Sequence, residues 1–110
     1  MSKFIEIITT CPDRQTAEAI GEALVEKRLA ACAQISAPIY SIYHWDGKIE
    51  RATEYYCVLK ARKESFLRVS EIISSLHPYK VPEIIARPID QISESYKIWL
   101  EEFTQPKLLP

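Results

Sequence analysis

A chain of 110 residues is one domain's worth of sequence, and 47% hydrophobic against 26% charged residues gives it a core to bury. Its 14 basic and 15 acidic residues leave a net charge of −1, which supplies no electrostatic footprint for nucleic acid or an anionic membrane. Gly21 and Gly47 lie too far apart for a dinucleotide or phosphate loop, His44 and His77 cannot form a helical zinc-protease pair, and Cys11, Cys32 and Cys57 contain no C-x-x-C spacing. With no Ser-centred glycine elbow and no nucleophile–base pair, the sequence does not read as an enzyme. The N-terminal MSKFIEIITT lacks the apolar length and cleavage site of a secretory signal. No stretch approaches the ~18 apolar residues of a membrane span. Three scattered cysteines suit a reducing compartment. The expectation is a single cytoplasmic domain over residues 1–110, with Gln105 to Pro110 as its one loose end.

The periodicity alternates between strand and helix. Lys3 to Thr10 is β-branched and apolar on both faces, the pattern of a central strand. Pro12 and Asp13 end it, and Asp13 is placed to cap a helix over about Arg14 to Leu29, with Ala17, Ile20, Leu24 and Val25 on one side and Glu18, Glu22 and Glu26 on another. Ala30 to Trp45 reads as a long strand interrupted at Pro38. Asp46-Gly47 is a strong two-residue hairpin turn, because a type I′ turn needs positive φ at both positions. Lys48 to Arg62 returns as a second long strand. A helix follows with Phe66, Val69, Ile73 and Leu76 at helical spacing, ended by Pro78. Glu83 to Ile89 is a fourth strand, and Ser93 to Phe103 a third helix with Tyr96, Trp99, Leu100 and Phe103 on one face.

The order β-α-β-β-α-β plus a terminal helix is an α+β, ferredoxin-like sandwich with spatial strand order 4-1-3-2. The prolines agree: Pro38 and Pro88 fall on the edge strands, where a missing N–H is tolerated. Two features do not fit a monomer. Hairpin strands of about 14 residues span roughly 45 Å at ~3.3 Å per residue, against a radius of gyration near ~13 Å for a domain this size. In addition, both faces of the central strands look apolar, while this fold covers one face with helices. A second copy of the chain is one supply of cover; a hairpin bent back at Pro38 over its own sheet is the other.

Few polar residues suggest chemistry. His77-Pro78-Tyr79-Lys80-Val81-Pro82-Glu83 is a proline-stiffened connector presenting His, Tyr, Lys and Glu, or else a rigid link whose Tyr79 packs and whose His77 caps the preceding helix. Cys11 ends strand one, and a thiolate with an imidazole such as His77 suits a soft ion, although two donors do not close a structural site. Cys32 and Cys57 read as small core residues, and His44 as a hairpin-tip residue. Tyr40, Tyr43 and Trp45 suit a contact between copies. Glu50, Glu54 and Glu83 read as solvated or ion-paired.

Together, Thr9-Thr10-Cys11-Pro12-Asp13, Glu26-Lys27-Arg28-Leu29-Ala30-Ala31-Cys32-Ala33, Tyr43-His44-Trp45-Asp46-Gly47-Lys48-Ile49-Glu50, Leu59-Lys60-Ala61-Arg62, His77-Pro78-Tyr79-Lys80-Val81-Pro82-Glu83-Ile84-Ile85 and Tyr96-Lys97-Ile98-Trp99-Leu100 resemble the CutA divalent-cation tolerance family over nearly the whole chain. The resemblance implies a homotrimer whose long hairpins pair between subunits, a role in tolerance of divalent metals, copper especially, and an architecture similar to PII signalling trimers. Copper-binding members of the family carry a Cys late in strand one and a His-His pair before Pro-Tyr. Here those positions hold Thr9, Leu76 and His77, so His77 and Cys11 are the metal candidates: Cys11 substitutes if the chain turns back, or the high-affinity site is missing. The resemblance also gathers Trp45, Lys60, Tyr79 and Glu83 as ligand candidates in an intersubunit cleft. The alternative function it raises is a PII-like sensor of a small ligand, or a protein-interaction module, using that cleft.

Overall fold

A computed structural model describes residues 2–105 of the chain, so most of the Gln105–Pro110 tail lies outside it. Its elements are β1 (Phe4–Cys11), α1 (Arg14–Glu26), β2 (Ala30–Ile35), β3 (Ile39–Trp45), β4 (Lys48–Arg62), α2 (Phe66–Leu76), β5 (Ile84–Ile89) and α3 (Glu94–Phe103). The sheet runs β2-β4-β1-β5, with β3 continuing beyond β2 along the same side of β4, and every pairing is antiparallel. This is the order expected from the sequence, with the second strand split in two. No helix among the described residues is long and apolar enough to cross a membrane.

Local chemistry sets the boundaries. Asp13 Oδ1 accepts the Thr16 N–H at 2.7 Å, which starts α1 and holds the Asp13 carboxyl below its usual range. The helix stops at Glu26, three residues earlier than its periodicity suggests. Arg28 turns into the left-handed region at φ 58°, while its N–H bonds Val25 O and the Leu29 N–H bonds Leu24 O. These two bonds make a Schellman closure with arginine in the place glycine usually takes, and the Arg28 guanidinium lies 5.6 Å from the centre of the Phe103 ring. Asp46 and Gly47, at φ 51° and 73°, form the turn that the dipeptide predicts.

One face of the sheet packs under α1 and α2. Ile5, Ile7, Cys11, Cys57, Leu59 and Ala61 meet Ala17, Ile20 and Leu24 of α1 and Val69 and Ile73 of α2. Each of the larger fully buried side chains contributes ~1.5–3 kcal/mol by leaving water. Close approach of α1 to β2 requires Gly21, where an added Cβ would lie 2.7 Å from the Ala33 Cβ. Leu76, expected on the buried stripe of α2, is exposed at the helix end.

The opposite face departs from the expectation of a uniformly apolar surface. Its Phe4 corner is covered within the chain by α3, through Leu100 and Phe103, with Ala31 of β2 in the same cluster. There Arg62 donates to Thr104 Oγ1 and Glu101 O. Next to that corner runs a charged row, with Glu6 flanked by Lys60 at 3.6 Å and Arg87 at 3.8 Å. The hairpin is not folded back. Between the pairs Ile35↔Cys57 and Ile39↔Glu54 the β2–β3 side holds one extra residue, absorbed around Pro38, and Ser36 Oγ there accepts the Tyr56 N–H at 2.8 Å. The β3–β4 arm then continues, exposing Tyr40, Ile42, Trp45 and Ile49. The Cα extents of 45 × 34 × 23 Å and radius of gyration of 14.7 Å reflect this projecting arm.

Candidate functional site

The connector from α2 to β5 seats its side chains against the ends of β1 and β4. His77 is the last hydrogen-bonded residue of α2, its N–H bonding Ile73 O at 2.9 Å, and Pro78 holds it extended. The Tyr79 N–H donates to His77 Nδ1 at 3.2 Å, so Nδ1 carries the lone pair and Nε2 carries the proton. Nε2 therefore donates to Thr10 O, at 2.7 Å. The ring is buried, with its centre 4.8 Å from that of Tyr79. His77 thus ties the helix end to β1 through its ring, a structural role other than the helix-capping one that the sequence offered beside that of metal candidate.

Tyr79 extends the network. Its hydroxyl donates to Glu54 Oε2 at 2.7 Å. Burial and the neighbouring Glu54 carboxylate push the Tyr79 phenol above its ordinary range. Glu54 is 5% exposed and forms no ion pair among the described residues. This corrects the sequence reading of a solvated or ion-paired carboxylate. Glu54 lies opposite Ile39 and shares the β4 face of Tyr56 and Val58. Cys11 is fully buried, its thiol pushed up to about 11 by burial and then by Asp13 and Glu54.

Two adjoining hollows flank this network. One, of about 310 Å³, is lined by Thr10, Tyr43, Glu54, Val81 and Glu83 among others. The second, of about 280 Å³, lies between Trp45 and Tyr43 of the arm and Pro78, Tyr79 and Val81 of the connector. Within one chain, Trp45, Tyr79 and Glu83 therefore border one region. Lys60 stands apart, six residues beyond Glu54 on β4, or ~20 Å at ~3.3 Å per residue, where it donates to Gln34 at 2.8 Å and faces Glu6. A hollow of about 400 Å³ between α1 and β2 involves none of these residues. His44 is exposed near the hairpin tip. Among the described residues, no group of three or more His, Cys, Asp or Glu side chains is gathered for a metal ion. His77 Nδ1 is a single imidazole donor, and a complete ion shell needs donors from water or another chain.

The fold and this connector can be compared with known proteins. A family model described as CutA1 divalent ion tolerance protein matches residues 5–103. Protein CutA of Mus musculus is 41% identical over 96 residues, covering 87% of this chain and 54% of that protein, so the chain spans about half the length of this mammalian relative. The divalent-cation tolerance protein CutA of Thermus thermophilus is 40% identical over 98 residues, covering 89% of this chain and 95% of its own. The solved structure of the periplasmic divalent cation tolerance protein CutA from Archaeoglobus fulgidus matches with a TM-score of 0.89 at 38% identity, over 93% of this chain and 99% of that one. Matched in sequence from β1 to the end of α3, and in the arrangement of its sheet and helices, the chain belongs to the CutA1 divalent ion tolerance family.

Proposed function

We propose that the chain acts as a homotrimer that binds divalent metal ions, copper among them, at or near the clefts between its subunits, as a binding protein and not an enzyme. The observation that carries this reading is the setting of His77. Its Nε2–H is anchored on a backbone carbonyl, and its Nδ1 accepts only the Tyr79 N–H, at 3.2 Å, a bond that an ion at Nδ1 would displace. Metal-binding histidines are held in this way, because the second nitrogen fixes the tautomer and orients the ring. Cys11 follows directly on Thr10, whose carbonyl anchors that ring. The exposed arm supports the trimer, since a two-stranded ribbon carrying Tyr40, Ile42, Trp45 and Ile49 is marginal alone in water. The three free cysteines support a cytoplasmic, reducing location.

Titration of metal-free protein with Cu(II), wild type against His77→Ala, tests the ligand. Unchanged affinity and stoichiometry would remove His77 from the site. Light scattering tests the assembly: three times the chain mass is expected, and a monomer at micromolar concentration would defeat the trimer. The hollows bordered by Trp45, Tyr79 and Glu83 support a second reading, a PII-like sensor of a small ligand or partner protein. A thermal-shift screen giving metabolite responses without a metal response would favour it.

A further inference from the structure

Glu54 is a buried group that the chain's own contacts match only in part. It is 5% exposed, where the arm joins the body on the helix-free face of β4. Its Oε2 accepts the Tyr79 hydroxyl, and its Oε1 has no hydrogen-bond partner among the described residues. Thr9 Oγ1 is the one unpartnered side-chain oxygen or nitrogen among those residues that is sealed from solvent. Glu54 Oε1 is therefore not sealed, and the space that Glu54 borders is the hollow of about 310 Å³. Glu83 borders the same hollow. Lys80 of the connector borders the adjoining one, and no ion pair among the described residues joins it to either carboxylate. A carboxylate withdrawn from water needs a cation or several donors to offset its lost hydration. Here the described residues supply one hydroxyl.

The walls of the hollow identify the chemistry of a partner. Tyr43, Tyr56 and Val81 border it beside the two carboxylates. Aromatic rings attract a cation and shelter an alkyl chain. The volume falls at the lower end of the ~300–1,000 Å³ of ligand pockets. Among the described residues, no third His, Cys, Asp or Glu joins Glu54 and Glu83, which falls short of the oxygen cage of a hard divalent ion. A guanidinium pairs best with both oxygens of one carboxylate, and Tyr79 holds one of those of Glu54. An ammonium is a point charge whose N–H groups each need a single acceptor, and Glu54 Oε1 and Glu83 provide acceptors. We infer that this hollow binds a small primary alkylammonium ligand, its nitrogen between Glu54 and Glu83 and its chain along Tyr43 and Tyr56. This names a ligand class for the small-ligand reading of the hollows and rests on that reading.

The test is amide NMR of the full chain, titrated with n-butylammonium chloride at constant ionic strength. Saturable shifts at Tyr43, Glu54 and Glu83 are expected. Glu54→Gln keeps an acceptor for Tyr79 and removes the charge, and should weaken binding at least ~30-fold, the lower end for stripping one member from a buried charge pair. Glu83→Gln, at an exposed position, should weaken it ~2–5-fold. Two analogues test the wild type directly, so they decide even if Glu54→Gln does not fold. n-Butanol keeps the chain and lacks the charge, and n-butyltrimethylammonium keeps the charge and lacks the N–H groups. Each should bind at least ~10-fold more weakly, the loss expected for hydrogen bonds to a charged group. Absence of saturation, equal binding of either analogue, or binding that survives Glu54→Gln overturns the inference. So does a crystal structure of the assembled protein in which a lysine or arginine of a second copy sits on Glu54. A neutral or anionic compound that binds these hollows where n-butylammonium does not overturns the ammonium assignment and leaves the small-ligand reading standing.

Discussion

Replacing Tyr79 by Phe removes one hydroxyl and leaves Glu54 without its hydrogen-bond donor. The bond is short, 2.7 Å, and its acceptor is a carboxylate on a residue 5% exposed. Hydrogen bonds to charged groups contribute ~1.5–3 kcal/mol, and an abandoned buried acceptor adds its desolvation. Tyr79 is itself only half-buried, so we take ~2 kcal/mol as the expected loss. With a urea slope of ~2 kcal/mol per molar, the unfolding midpoint should fall by ~1 M at fixed chain concentration. Glu54→Gln is the control, because its neutral amide oxygen still accepts the Tyr79 hydroxyl at the ~0.5–1.5 kcal/mol of an uncharged bond. Tyr79→Phe in the Glu54→Gln background should therefore cost ~1 kcal/mol less than in the wild type. The raised Tyr79 phenol adds a pH signature. Its contribution is complete below the unfolded phenol range near ~10 and is lost as pH rises through the folded value. A Tyr79→Phe effect within ~0.5 kcal/mol, or equal effects in the two backgrounds, would refute the view that this bond secures the buried carboxylate.

Both thiols titrate higher folded than unfolded, Cys11 near 11 and Cys57 near 12, so stability should hold to about pH 9 and decline above it. Cys57→Ala should flatten that decline, which urea midpoints from pH 8 to pH 10.5 would measure. Gly21→Ala drives a methyl to 2.7 Å from the Ala33 Cβ and should cost ~1–3 kcal/mol by chemical denaturation, because a helix backbone and a strand must separate. Gly47→Ala meets no atom within 4 Å, so its ~1–2 kcal/mol arises from the φ of 73° alone, and Gly47→Asn should restore part of it.

Much of the fold was readable because local chemistry and long-range pairing agree. Asp13 caps where capping chemistry places it, Asp46-Gly47 turns the hairpin, and Pro88 sits on edge strand β5. The end of α1 was not readable, because its left-handed residue is Arg28, held by a backbone closure and by Phe103, where a glycine would have signalled the stop. Nor did periodicity show what lies over Phe4. An apolar strand face records that something covers it, and here part of the cover is α3 from the far end of the same chain. In α3 itself, Leu100 is fully buried as expected, while Tyr96 and Trp99 stack partly exposed, with ring centres 5.3 Å apart. At the site, the connector's Pro-Tyr-Lys-Val-Pro pattern marked the segment whose His77 and Tyr79 reach Thr10 and Glu54. The burial of Glu54 depends on a tyrosine 25 residues away in sequence, and no short-range signal carries that.

The division of β4 between arm and body has a consequence for how the chain folds. Its N-terminal half pairs with β3 across a two-residue turn, a contact that closes on the ~1–10 μs scale of a hairpin. Its C-terminal half must find β1, and β1 must in turn find β5, with Phe4 opposite Ile89 at a separation of 85 residues. Such distant pairings close slowly, because loop entropy is lost before any contact repays it. The arm's contacts therefore close first but only transiently, as a ribbon with apolar side chains that is marginal until the sheet forms behind it. The charges along that ribbon, Lys48, Glu50 and Arg51, stand where they would keep such early ribbons from adding to one another edge to edge.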